Sequence, residues 1–193
     1  MDLAVFLSTF GLIFLAELGD KTQLTAMALA VRFPWGKVFI GTALAFVLLN
    51  IGAVALGKVL FTLLPIFWIK LVSAGLFLFF GIATLFGKGK DGDDAEGRRG
   101  SSARGALAAS FLMILMAELG DKTQLLTASL AARHDAPLEV FMGSTLALWS
   151  VSLLGIFAGR RLTRFVPLAY IHRGAGVLFI VFGAVILYRA FSP

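Results

Sequence analysis

Apolar residues fill this chain in six long blocks, at about residues 3–32, 38–57, 68–87, 105–132, 138–158 and 167–188. Several reach or exceed the roughly 18–20 residues that carry a helix across a bilayer. A lone strand cannot satisfy its backbone N–H and C=O groups in lipid, so all six blocks are predicted as transmembrane helices. The stretch GKGKDGDDAEGRRGSSARG, residues 87–105, interrupts the pattern. It is rich in glycine and mixed charge and reads as a flexible linker, without the ordered ligand spacing of a calcium loop. The chain thus divides into a three-helix segment at 1–87, a charged linker at 88–104 and a second three-helix segment at 105–193.

The two segments are copies. AELGDKTQL stands at residues 16–24 and again, unchanged, at 117–125. Further on, Gly41-Thr42 matches Gly143-Ser144, Gly57-Lys58 matches Gly159-Arg160, Pro65 matches Pro167, and Phe80-Gly81 matches Phe182-Gly183. The two prolines are predicted at the starts of helices. Three spans per copy is an odd number, so the second copy must enter the membrane inverted. The basic residues agree with this arrangement. Eleven lie on the side that holds Arg32, Lys37, the linker and the segment from Arg160 to Arg173, against Lys58, Lys70, Arg133 and Arg189 on the other. The positive-inside rule makes the richer side, with the linker, cytoplasmic and puts both termini outside. Inverted repeats of this kind are a transporter architecture, with the binding site at the repeat interface near the midplane.

Composition narrows the chemistry. Hydrophobic residues make up 59% of the chain and its mean hydropathy is +0.93, well above the roughly 45–50% apolar content of soluble domains. There is no cysteine, and the two histidines, His134 and His172, fall near predicted helix ends. Disulfides, thiolate metal sites and a histidine-built zinc site are therefore not expected. The N-terminus carries an acid where a secretory signal needs basic residues, so it reads as a retained first helix. The net charge of +6 does not point to nucleic acid, because the basic residues sit between apolar blocks. Trp35 and Trp68 fit interfacial anchors.

The repeated motif lies in the wrong place for ordinary charge. A continuous helix from Leu3 to Arg32 would be ~45 Å long, with Glu17 ~21 Å from its start; Glu118 falls ~20 Å from Gly105. Both motifs are thus at mid-span. A hydrocarbon core is only ~30 Å thick, so these helices must tilt or break, and Gly19 and Gly120 are the places to break. A break would also free backbone carbonyls as oxygen ligands. Along a helix Glu17 and Asp20 share a face, as do Glu118 and Asp121, with Lys21 and Lys122 in salt-bridge reach of the glutamate of their own motif. Charge at this depth costs at least ~2.5–3.5 kcal/mol per residue. Salt bridges that pin helix packing would be the plainest use for it, but four acids against two lysines leave two negative charges over. Inversion should bring the clusters face to face as four carboxylates around one cavity. Thr22, Gln23, Thr123 and Gln124 would supply further oxygens, and Lys21 and Lys122 would tune the charge. Such a donor set suits a hard divalent cation: Ca²⁺, Mn²⁺ or Mg²⁺. Thr42 and Ser144 are candidates either to close the site or to cap helices.

The doubled E-x-G-D-K-[TS] signature, at Glu17–Thr22 and Glu118–Thr123, together with six spans and a charged central loop, resembles the Gdt-type family of membrane cation transporters. The resemblance covers essentially the whole chain. It implies transport of Mn²⁺ or Ca²⁺, exchanged for protons, with Glu17, Asp20, Glu118 and Asp121 as the cation site. It implies no permanent cofactor, and the motif turn itself offers no nucleophile or histidine base for an enzyme. The compact length resembles bacterial members, which implies Mn²⁺ export across the plasma membrane. With all acids and both lysines ionised the two motifs carry −2, which one Mn²⁺ or two protons would neutralise. The alternative is an exporter of small organic cations such as basic amino acids, since buried acids can also hold an ammonium group. The oligomeric state is left open.

Overall fold

Each motif-bearing block folds as two helices, not one. The computed structural model describes residues 2–63, 66–86, 99–134, 136–162 and 168–191. Helices α1 (Leu3–Glu17) and α2 (Lys21–Arg32) meet at the first motif, and α5 (Arg99–Glu118) and α6 (Lys122–His134) at the second. Helices α3 (Trp35–Leu63) and α4 (Ile66–Phe86) complete the first segment, and α7 (Pro137–Leu162) and α8 (Leu168–Phe191) the second. No strand occurs among the described residues. Asp2 starts α1 by accepting from the N–H groups of Ala4 (3.0 Å) and Val5 (3.2 Å), which satisfies two of the free donors of the first turn.

Among the described residues three helices are long and apolar enough to cross a membrane: Trp35–Ala55, Pro137–Leu162 and Arg173–Phe191. The pair α1 and α2, bent by 70° at its break, makes a fourth candidate span. Lys70–Leu85 and Gly105–Glu118 are shorter apolar helices. The chain is an all-helical, multi-pass membrane protein. The expected linker is shortened at its C-terminal end, because α5 already begins at Arg99. Extending a formed helix adds one hydrogen bond per residue fixed, which offsets the modest cost of Gly100, Ser101 and Ser102. Residues 87–98, Pro65 and Pro167 lie outside the described residues, as does the side chain of His172.

The packing follows the repeat. The first helix of each segment lies on the long third helix of the other, α1 on α7 and α5 on α3. The second halves of the broken helices do the same, α2 on α7 and α6 on α3, while α3 crosses α7 and α4 crosses α8. Matched glycines permit the same close approaches in both copies. A Cβ on Gly41 would lie 2.5 Å from the Leu107 carbonyl oxygen, and one on Gly143 would lie 2.8 Å from that of Phe6. Small residues at such crossings let backbones meet where lipid supplies no hydrophobic drive.

Two apolar clusters mark opposite ends of the molecule. One joins Leu29 of α2, Val38 of α3, Met113 of α5 and Ile156 of α7 to Phe77, Ala175 and Phe179 of α4 and α8. The other joins Val5 of α1, Leu130 and Ala131 of α6 and Val140 of α7, with no buried residue from α4 or α8.

Candidate functional site

The site is made by two chain breaks. Gly19 has φ +83° and Gly120 φ +78°, values that an L side chain adopts only at a cost of about 1–2 kcal/mol. A Cβ on either would meet nothing within 4 Å, so the backbone turn alone requires glycine. The glutamine three residues after each helix N-cap reaches back across the gap. Gln23 Oε1 accepts from the Gly19 N–H and Gln124 Oε1 from that of Gly120, both at 2.7 Å. This resembles a capping box extended by one residue. The break leaves Glu17 and Glu118 as the last residues of α1 and α5, and Asp20 and Asp121 before the first turns of α2 and α6.

The polar contacts then run across the repeats. Thr22 donates to Glu118 Oε1 and Thr123 donates to Glu17 Oε1. Lys21 pairs with Asp121 and lies 3.8 Å from Glu118 Oε1, while Lys122 pairs with Asp20 at 3.1 Å. The expectation of salt bridges within each motif is therefore corrected. It assumed a continuous helix, and the turn at glycine separates each glutamate from the lysine four positions on. Glu17 and Glu118 are fully buried, at 0% and 4% exposure, and Glu17 Oε2 is buried without a hydrogen-bond partner.

All ten motif residues named from the sequence, Glu17 and Asp20–Gln23 with Glu118 and Asp121–Gln124, meet at this junction. The expected cavity of four convergent carboxylates does not appear in this arrangement. Among the described residues no three acids form a metal-holding group, because lysines and threonines stand between them. Gln23 and Gln124 spend an amide oxygen on the breaks. Thr42 and Ser144 cap nothing. Both are buried inside long helices, Thr42 Oγ1 without a partner and Ser144 bonded to the Phe141 carbonyl at 3.1 Å.

Two cavities adjoin the second motif. One of about 120 Å³ is lined by Lys21, Gly120 and Asp121 together with Lys70, Ser73, Ile186 and Arg189 from the ends of α4 and α8. The other, about 10 Å³, lies among Asn50, Glu118, Thr123 and Gln124, with Phe46, Leu49 and Leu148 as its apolar wall. Asn50 and Ser73 were missed by sequence reasoning. Their repeat counterparts are Ser152 and Ala175, so comparing the copies gave them no signal.

A model of the family described as "Divalent cation/proton antiporter GDT1" matches residues 5–92 and again 106–193. This chain belongs to the GDT1 divalent cation/proton antiporter family. The double match also reports the repeat. GDT1-like protein sll0615 of Synechocystis sp. is 30% identical, over 95% of this chain and 96% of its own length. A protein of Vibrio cholerae named "Putative manganese exporter" is 33% identical, over 93% of this chain and 86% of its own. Protein PAM71, chloroplastic, of Arabidopsis thaliana is 34% identical over 93% of this chain, which spans 55% of that protein's length. No solved structure matches the chain. Membership makes this GDT1 protein a transporter with divalent cations and protons as its substrates.

Proposed function

We propose that this GDT1 protein exports Mn²⁺ across the plasma membrane in exchange for protons, by alternating access around Glu17, Asp20, Glu118 and Asp121. The observation that carries this is the reciprocal pairing at the breaks. Two identical motifs lend their threonines and lysines to each other's acids, so neither is a site alone. Each lysine holds a place beside an acid that an incoming cation could take. The excess charge of −2 is balanced by one Mn²⁺ or by two protons, and the neutral states cross lipid at least cost. Manganese is favoured over calcium by the name of the Vibrio cholerae relative; the oxygen donors serve either ion.

The six-span, inverted reading belongs to this proposal. It is supported by the odd number of blocks per repeat, by the basic-residue bias, and by the packing of each first helix on the other repeat's long third helix. It places both termini outside and the charged linker in the cytoplasm.

The test is metal uptake into inverted vesicles, comparing Mn²⁺, Ca²⁺ and Mg²⁺ with and without a proton gradient. Uptake of Mn²⁺ driven by an acidic lumen, with little dependence on voltage, is the expected result. Uptake indifferent to pH, or strongly voltage-driven, would overturn the exchange. Lysine as a competing solute tests the organic-cation alternative, and it should leave Mn²⁺ uptake unchanged.

A further inference from the structure

We propose that Asn50, outside both motifs, contacts the transported cation and forms with Glu118 an inner subsite for a hard divalent ion. The inference rests on the cation-exchange reading above. Asn50 is 2% exposed, on α3, and its Nδ2 donates to Thr145 Oγ1 on α7 at 3.0 Å. That bond commits the amide nitrogen and leaves Oδ1 as the atom the side chain can offer a cation. The cavity that Asn50 shares with Glu118, Thr123 and Gln124 is about 10 Å³, near the size of one water or one bare ion. Asn50 and Glu118 supply amide and carboxylate oxygens, with the Thr123 hydroxyl beside them, donor types that suit Mn²⁺ and Ca²⁺; the Gln124 amide oxygen is already held by the Gly120 N–H at 2.7 Å. Polar side chains buried inside a membrane protein mark ion pathways or helix contacts. Here both roles meet, and the test must separate them.

Equilibrium Mn²⁺ binding by the full-length protein in detergent separates them. Asn50→Leu should weaken binding roughly tenfold or more, as loss of a bond to a charged partner does. Asn50→Asp should tighten it by a similar factor, since it adds an anionic oxygen at the same place. Thr145→Val breaks the interhelical hydrogen bond without touching the donor set, and should change binding less than about threefold. If Asn50→Leu and Thr145→Val weaken binding equally, and Asn50→Asp does not tighten it, Asn50 only joins helices and the inference fails. Failure of the wild type to bind Mn²⁺ would instead overturn the function itself.

A separate observation carries a second inference. The repeat symmetry of the packing fails for one unit, the pair α4 and α8. The pair packs on α5 through α4 and on α2 through α8, and among the described residues has no comparable packing on α1 or α6. Ser73 on α4 donates to the Met116 carbonyl at 2.5 Å, and Arg32 donates to Thr84 at 2.5 Å. The pair's other end stands away from the second motif across the 120 Å³ cavity. The pair itself is tight: a Cβ on Gly81 would lie 2.7 Å from Ile180 Cγ1, and one on Gly183 2.7 Å from Leu78 Cγ.

We infer that α4 and α8 move as one body, closing the α2–α5 end now and the α1–α6 end in the alternate state. Exchanging the repeats converts the contact of Ser73 with Met116 into one of Ala175 with Leu15. Leu15 is now 70% exposed. The chain has no cysteine, so Leu15→Cys with Ala175→Cys gives an unambiguous pair for a short thiol-reactive cross-linker. Cross-linking should occur in actively transporting vesicles and stop Mn²⁺ flux, while each single variant keeps it. No cross-link during transport, or a cross-link that leaves flux intact, would overturn the movement.

Discussion

The two copies of AELGDKTQL are identical in sequence but differ in surroundings. The Lys21 side chain is 25% exposed and sits between Asp121 and Glu118, whereas that of Lys122 is 62% exposed and touches Asp20. Glu118 has both a threonine and a lysine near it; Glu17 has a threonine at one oxygen and a bare, buried second oxygen. Identical peptides have no intrinsic reason to differ. The asymmetry must come from what packs around them, and the body that breaks the symmetry is the α4–α8 pair. On the proposed movement of α4 and α8, the difference between the motifs marks one of two states, and in the other state their surroundings should be exchanged.

The largest effect tests whether the comparison is between halves of one site. Glu17→Gln and Glu118→Gln should each abolish Mn²⁺ uptake, beyond the ~10–100-fold loss that changes around a metal's ligands produce. Vesicle uptake rates decide. Near-normal transport by Glu17→Gln would mean that only the lysine-flanked motif works and that the repeat is not a shared site.

Next come the lysines, where the motifs should differ. Lys21→Gln strips the counter-charge from two acids at a largely buried position and should destabilise this state by about 3 kcal/mol. Lys122→Gln removes an exposed partner and should cost under about 1 kcal/mol. Thermal unfolding in detergent reads both. Tethering Leu15→Cys to Ala175→Cys should reverse the order. Equal effects in both states would show that the asymmetry is fixed and not a conformational one.

Much of this was legible in the sequence, and the limits have physical causes. The apolar blocks gave the helices, and the excess length of the motif-bearing blocks left two solutions, a tilt or a break at Gly19 and Gly120, of which the chain adopts the break. The crosswise pairing was not legible. Spacing rules for i and i+4 hold only while the helix continues, and the residue that breaks it, Gly19 or Gly120, lies between the acid and its nominal lysine. Asn50 and Ser73 were invisible for a different reason: the repeat comparison rewards matched positions, and theirs are unmatched. A moving body must also meet two different surfaces, which a single pattern of matched residues does not describe.

Smaller effects should again be equal in the two motifs, because the backbone turns are. Gly19→Ala and Gly120→Ala each place a side chain at φ near +80° and should lower stability by about 1–2 kcal/mol. Asparagine, which visits this region more readily, should do less damage. The open space around both glycines removes steric clash as a competing cause. A much larger loss at only one of them, read by thermal unfolding, would mean that the two breaks are not equivalent.

The smallest effect separates two jobs for the glutamines. As struts, Gln23 and Gln124 each hold one glycine N–H at 2.7 Å, so Gln23→Met and Gln124→Met should lose about 1 kcal/mol of stability and leave Mn²⁺ binding nearly unchanged. As ligands they would lose affinity instead. The motifs should differ slightly here, because Gln124 also reaches the Leu49 carbonyl at 3.4 Å and lies beside Asn50 and Glu118 in the small cavity. A loss of affinity confined to Gln124→Met would put its amide in the inner subsite with Asn50. Loss at both would return the glutamines to the cation itself and leave the breaks to be held by glycine alone.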